Sequence, residues 1–185
     1  MSSPPAQPNL PYRLAVLCYL YDDANSVLLL HRRQEPNIGM YSPVGGKIDL
    51  ASGEGPHDCA VREIREETGV ALSREDVRLI GIVSERAYEG QAHWLIFLFE
   101  VARTVRRDEL HWSEFSEGRL EWTRIDQVGG LPIPHTDRTV MWPLVQAYRG
   151  GFFVVHIDCS VEPMQWTLCE AWKEGAGGAA SSRDD

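Results

Sequence analysis

The sequence predicts an α+β fold, an α/β/α sandwich built on a mixed β-sheet. Short apolar or alternating runs stand on both sides of two helical stretches, and turn residues punctuate the intervals. The 185 residues suffice for one buried core, and 43% hydrophobic with 24% charged residues is ordinary for a globular domain. That domain is expected over residues 12–173. A flexible segment at 1–11 should precede it, and a disordered Gly, Ala and Ser tail at 174–185 should follow.

In chain order, residues 13–21 and 26–31 are β-prone runs, and Asp22-Asp23-Ala24-Asn25 between them reads as a hairpin turn. Pro36, Asn37 and Gly39 make residues 32–42 a loop. A short strand at 43–48 leads into a polar stretch at 49–55. Pro56 suits a first helical position and Gly69 a C-cap, which brackets a helix between them. Residues 77–87, 93–102 and 119–125 alternate or run apolar like strands, with a charged connection at 103–118. A second helix is expected at 138–148, stopped by Gly150-Gly151. Residues 151–160 and 165–172 read as two closing strands.

The net charge of −9 argues against a nucleic-acid polymer as partner, because such binding wants a basic face. Carboxylates can still meet phosphates across a metal ion. No apolar run approaches the roughly 18 residues of a membrane helix. Residues 1–11 also lack the basic-then-apolar pattern of a secretory signal, so the cytoplasm is the expected compartment. Cys18, Cys59, Cys159 and Cys169 show neither C-x-x-C pairing nor zinc-site spacing with His, so buried free thiols are expected.

Residues 56–70, PHDCAVREIREETGV, carry the chemistry. Glu63, Glu66 and Glu67 are separated by helical spacings and share one face, while Val61, Ile64 and Thr68 can bury another. Like charges so placed repel by about 0.2–0.5 kcal/mol per pair in a free helix, and something must offset them. Arg62 and Arg65 can do so on a solvated acidic face. A hard divalent cation can do so too, since Mg²⁺ takes a few carboxylates and completes its shell with waters and substrate phosphates. Gly45-Gly46-Lys47 at a strand end, with Glu54 shortly before the helix, favours the cation.

The stretch G-G-K-I-D…G-E-x7-R-E-I-R-E-E-T-G-V resembles the Nudix signature, E-x7-R-E-U-x-E-E-x-G-U with U apolar. Glu54, Arg62, Glu63, Ile64, Glu66, Glu67, Gly69 and Val70 match it. The fixed charged and glycine positions would coincide by chance on the order of once in 10⁷ starts. One departure is a two-residue excess between Gly46 and Glu54. It falls within 49–52, a loop where insertions are tolerated.

The resemblance implies a Nudix-type sandwich and a Mg²⁺-dependent hydrolase, Mn²⁺ substituting, that cuts a phosphoanhydride bond in a nucleoside-diphosphate-linked small molecule. By resemblance Glu63, Glu66 and Glu67 are metal ligands, and the Gly45 carbonyl is a further one. Arg62 holds Glu54 or a ligand glutamate in orientation. Glu117 matches a loop glutamate that acts as ligand or base in similar proteins, with Glu114 and Glu109 as neighbouring candidates. Arg32 and Arg33 end a strand within reach of phosphates, exposed strand-end arginines being common too, and Lys47 is a further substrate-binding candidate. Ser42 and Asp137 match positions that read the base in similar triphosphatases, although Asp137 also suits the N-cap of the following helix. Tyr88 falls where dinucleoside-polyphosphate hydrolases carry a tyrosine, and a strand-end tyrosine is also ordinary packing. His57 and Trp94 read as packing residues.

A nucleoside triphosphate giving a monophosphate and pyrophosphate is the leading reaction. Dinucleoside polyphosphates and nucleotide sugars are the alternatives. A non-catalytic nucleotide-binding module belongs to a different class, and such a module would be free to lose Glu63, Glu66 and Glu67.

Overall fold

The structure, a computed structural model, describes residues 9–35 and 37–173. The expected tail and residues 1–8 of the expected N-terminal segment lie outside the described residues. Nine strands are found among them: β1 (Tyr12–Tyr19), β2 (Ser26–Arg32), β3 (Tyr41–Pro43), β4 (Val77–Tyr88), β5 (Ala92–Val101), β6 (Glu114–Phe115), β7 (Gly118–Arg124), β8 (Phe152–Asp158) and β9 (Gln165–Trp172). The α-helices are α1 (Pro56–Thr68) and α2 (Trp142–Ala147). None of the helices is long and apolar enough to cross a membrane.

Two sheets form. The first is mixed, in the order β1-β5-β4-β8-β9, with β1/β5 and β4/β8 parallel and β4/β5 and β8/β9 antiparallel. The second is antiparallel, in the order β3-β2-β7-β6. Successive strand side chains point to opposite faces, so β2 sends Leu28 and Leu30 toward α1, and Val27 and Leu29 toward α2. Likewise Val16 and Cys18 of β1 pack with Ile64 of α1, whereas Tyr19 packs with Leu144 and Val145 of α2. Strands buried on both faces read as unbroken apolar runs, which is why β2 is SVLLLHR. Each fully buried Leu, Ile or Phe contributes roughly 1.5–3 kcal/mol, so helix on sheet on helix is the arrangement this pattern stabilises.

The hairpin turn is built as expected. Asp22 Oδ1 accepts from the Ala24 and Ser26 amides at 3.0 and 2.7 Å, and Asn25 takes φ 60°. The expected strand at 43–48 is corrected: β3 ends at Pro43, and residues beyond it meet β1 only through single bridges at Val44 and Lys47. Pro43 has no amide hydrogen to donate, and Gly45 at φ 148° takes the chain out of strand geometry. The expected helix at 138–148 is also corrected. A π-helical turn over Asp137–Met141 precedes α2, with the Trp142 amide donating back to the Asp137 carbonyl. Pro143 then supplies no donor, so the shift of register ends where α2 begins. The connection at 103–118 hides β6 and docks on α1: Trp112 Nε1 donates to Glu67 O at 2.6 Å and the His111 amide to Thr68 O at 3.0 Å. These satisfy carbonyls that every helix end leaves open. The four cysteines are free, as expected, but only Cys18 and Cys59 are buried; Cys159 is half-buried and Cys169 is exposed on the edge strand β9.

Candidate active site

α1 opens on Gly55, takes Pro56 in its first turn and ends on Gly69 at φ 79°, whose amide donates to Arg65 O. Its apolar side, Cys59, Ala60 and Ile64, is fully buried, which turns Glu63 and Glu67 toward the glycine segment. The Gly45 amide donates to Glu67 Oε2 at 3.3 Å. Gly46 lies so close to Glu63 that a Cβ there would stand 2.5 Å from Glu63 Oε1. A Cβ on Gly45 would stand 2.2 Å from the Val16 carbonyl oxygen. Both glycines are therefore required by close approach. Gly46→Ala should keep the fold but push the Glu63 carboxylate aside and cut turnover about tenfold or more. Gly45→Ala, against rigid backbone and at positive φ, should lower the melting temperature sharply. Thermal unfolding and steady-state rates on the two variants check this contrast, and a Gly46→Ala enzyme with full turnover would refute it.

Arg62 ties the acids together. Its Nε and Nη2 donate to Glu54 Oε1 and Oε2 at 2.7 and 3.0 Å, a two-pronged bond. Its Nη1 donates to Glu63 Oε1 at 2.7 Å and to Glu66 Oε2 at 3.0 Å. Those bonds hold Glu54 down at about pKa 2. Burial raises Glu63, with Arg62 opposing. Burial pushes Glu67 up to about 8, and the nearby charges of Glu63 and Glu117 push in the same direction. A buried acid in that state lacks positive charge.

The sequence's candidates divide here. Arg32, Ser42, Gly45, Lys47, Glu63, Tyr88, Glu117 and Asp137 line one cavity of about 440 Å³. Glu54, just before α1, and Arg62, on it, pair with each other and do not line that cavity. Glu67 is buried beside Gly45, and Glu66 is turned to solvent and Arg62. Glu117 pairs with Arg32 at 3.8 Å, while Arg33 pairs with Glu114 and Arg103 with Glu109. Asp137 caps nothing: Thr136 holds the N-cap position and no side chain caps the turn. His57 packs edge-on against Phe99, 4.8 Å between ring centroids.

Trp94 departs from its expected place in the core, because it is only half-buried and lines the cavity. Glu85 was missed altogether. It lines the same cavity at 3% exposure, opposite Trp94 across the β4/β5 pair. A signal existed: Glu85 stands two residues past Val83, on the inward parity of β4.

The inserted loop is an exposed turn. Asp49 Oδ1 accepts from the Ala51 and Ser52 amides at 3.0 and 3.4 Å, and the Asp49 amide itself donates to Glu54 Oε2 at 2.9 Å. None of residues 49–53 lines the cavity. Deleting Ala51 and Ser52 should therefore leave the melting temperature within a few degrees and turnover within about threefold. Lost turnover with unchanged melting would instead assign the loop to the substrate site.

An acid-faced helix closed by a glycine and packed against a glycine turn, at a cleft in a mixed sandwich, marks a class: hydrolases of pyrophosphate bonds. The chain belongs to the Nudix family, whose NUDIX domain model matches residues 11–148. It is 34% identical over 157 residues to an RNA pyrophosphohydrolase of Novosphingobium aromaticivorans, covering 76% of this chain and 94% of that protein. It is 32% identical over 127 residues to the Nudix hydrolase YvcI of Bacillus subtilis, covering 67% and 73%. Among solved structures it is similar to a MutT protein from Bacillus halodurans, with TM-score 0.67, 26% identity, and 85% and 97% of the chains covered. The family in general works with a divalent metal such as Mg²⁺.

Proposed function

We propose that the protein is a Mg²⁺-dependent nucleoside-triphosphate diphosphohydrolase, releasing a nucleoside monophosphate and pyrophosphate. One observation carries the reading: a single cavity is lined both by Gly45, Lys47, Glu63 and Glu117 and by Trp94, Ile96, Met141 and Asp137. The first suits phosphates, the second a heterocyclic ring.

The donor set fits a hard cation. All its side-chain atoms are carboxylate oxygens, and Glu67 is pressed toward its neutral form for want of positive charge. Among the described residues no three acidic, His or Cys side chains already gather tightly enough to chelate an ion alone. Phosphate oxygens and waters would complete the shell, which is the habit of Mg²⁺. Glu63 and Glu67, with the Gly45 carbonyl, would hold the ion, and Glu66 and Glu117 would add the remaining carboxylates. When bound, the ion neutralises phosphate oxygens and makes phosphorus more electrophilic.

The chain's own groups do the rest. Arg32 and Lys47 bind phosphate oxygens. Glu117, half-buried and lining the cavity, takes the proton of a water as it attacks phosphorus; the anhydride bond breaks and pyrophosphate leaves with its electron pair. Arg62 and Glu54 keep Glu63 aimed.

The relative's name makes 5′-triphosphorylated RNA the second reading. The net charge of −9 weighs against an extended RNA track. Incubation with Mg²⁺ and a panel of nucleoside triphosphates, dinucleoside polyphosphates, nucleotide sugars and a triphosphorylated RNA oligonucleotide, with products separated by chromatography, tests both. Monophosphate and pyrophosphate from free triphosphates are expected. Diphosphate and orthophosphate, or turnover of RNA alone, would overturn the leading reading.

A further inference from the structure

Glu85 and Tyr88 stand three residues apart on β4, yet both line the cavity. On a regular strand side chains alternate, so an odd separation puts two residues on opposite faces. The pairing with β5 explains the exception. Glu85 faces Trp94 and Tyr88 faces Ala92, so β4 takes three steps where β5 takes two. The extra residue is a β-bulge at Arg86 and Ala87, and it turns Tyr88 into the cavity. Without it the ladder would run on from Glu85 and Trp94 to pair Tyr88 with Gln91, and the ring would point to the other face.

The bulge is held in an uncommon state. Ala87 takes φ 53°, a left-handed conformation that a side chain disfavours. A bulge also leaves an amide out of the ladder. Here the Ala87 amide donates to His93 Nδ1, on the facing strand, at 3.1 Å. The His93 ring is itself fixed: it lies tilted against Tyr12, 5.1 Å between centroids, and the His93 amide donates to the Pro11 carbonyl at 2.9 Å. On the cavity side the Tyr88 hydroxyl donates to Asn37 Oδ1 at 3.3 Å. The re-aimed ring thus joins the end of β4 to the loop after β2, which also lines the cavity.

We infer that His93 is a positioning residue for substrate: its imidazole, by accepting the Ala87 amide, locks the bulge that keeps Tyr88 in the cavity. The inference rests on the nucleotide reading above for what the cavity holds, and adds how one of its walls is set. Strain at Ala87 favours the unbulged ladder, and the acceptor on His93 offsets it. The Tyr88 hydroxyl is bonded to Asn37 and not to a carboxylate that would hold the ion. The lock therefore acts on how tightly substrate is held, not on the breaking of the anhydride bond.

The test compares His93→Asn with His93→Leu on the full chain. Asn carries an acceptor oxygen on Cγ where His carries Nδ1, whereas Leu has the branch without the acceptor. Calorimetric affinity for AMP and GMP with Mg²⁺, exchange of the Ala87 amide, and the NMR signals of the Tyr88 ring are measured. In His93→Leu the Ala87 amide should exchange at least about tenfold faster and the ring signals should move. Affinity for both nucleotides should fall about fivefold or more. His93→Asn should stay within about threefold of wild type in affinity and exchange. In a Tyr88→Ala background His93→Leu should cost no further affinity. For any triphosphate that is cleaved, KM should rise while kcat changes less than about twofold. Circular dichroism checks folding, and should His93→Leu not fold, His93→Gln, whose amide oxygen sits one carbon further out, takes its place. Unchanged affinity in the folded variant would overturn the inference. So would an equal loss in the Tyr88→Ala background, or a loss shared by His93→Asn, which is the mark of a general packing role. A wild type that binds neither nucleotide would refute the nucleotide reading. The lock is then decided by the Ala87 exchange and the Tyr88 ring signals, which must change in His93→Leu and persist in His93→Asn.

Discussion

Replacing Glu67 by Gln is expected to lower turnover at least about a hundredfold, while raising the melting temperature of the protein in chelator. The two effects have one cause. Glu67 is buried, its carboxylate accepts from the Gly45 amide at 3.3 Å, and Glu63 and Glu117 press on it electrostatically. A negative charge there is useful when a cation is present and costly when none is. Gln keeps the shape and removes the charge.

The pH dependence has a definite sign. The folded value of about 8 lies above the ordinary 4.5, so the folded state binds the proton more tightly than the unfolded chain. That contribution is complete below about pH 4.5 and is lost as pH rises through 8. Metal-free wild type should thus lose melting temperature across this interval, and Glu67→Gln should flatten part of the slope. Glu85 and Asp137, raised in the same direction, supply the remainder. At roughly 2–4 °C per kcal/mol for a chain of this length, a rise of several degrees at pH 8 is the expected scale. Saturating Mg²⁺ should reverse the order, because an ion bound only to the folded state stabilises the wild type. A variant with wild-type turnover, or one less stable than wild type in chelator, would contradict both the charge argument and the ligand assignment.

The acid-faced helix was legible because helical spacing is a property of sequence: Glu63, Glu66 and Glu67 share a face in any α-helix. Its ends were legible for the same local reason, with Pro56 and Gly69 acting through their own backbone limits. The layered fold followed from strands too apolar to leave a face in water. What escaped is set by tertiary contact. Nothing local says that the segment after Pro43 must meet β1 by single bridges, since that depends on Gly45 lying 2.2 Å, by its missing Cβ, from Val16 O. Nor does the sequence show that Glu66 turns to solvent while Glu67 is buried, because that depends on how deeply α1 is rotated into its bed. Asp137 looked as much a helix cap as a reader. In the structure Asp137 lies inside the π-helical turn, with Thr136 in the N-cap position, and lines the cavity.

Replacing Arg62 by Lys should lower kcat by about ten- to a hundredfold with KM little changed. Arg62 holds Glu54 with two prongs while also reaching Glu63 and Glu66, four bonds between 2.7 and 3.0 Å. A lysine ammonium is a point charge, and it cannot span Glu54 and Glu63 in one plane. Arg62→Ala goes further. It strips the partner from Glu54 and Glu63, whose side chains are 10% and 13% exposed. Breaking a fully buried pair costs about 3–5 kcal/mol, but Arg62 is 34% exposed and solvent screens part of this, so about 1–3 kcal/mol is expected. The acid limb of stability gives a separate readout. Glu54 is held at about 2, below its ordinary 4.5, so its contribution is present above pH 4.5 and lost as pH falls toward 2. In Arg62→Ala that limb should flatten, while in Arg62→Lys it should persist in part, since one cation remains near Glu54. Steady-state kinetics and melting curves from pH 2.5 to 7 separate the roles. If Arg62→Lys kept wild-type kcat, the guanidinium would be only a stabilising bracket, and the aim of Glu63 would have to come from its contact with Gly46.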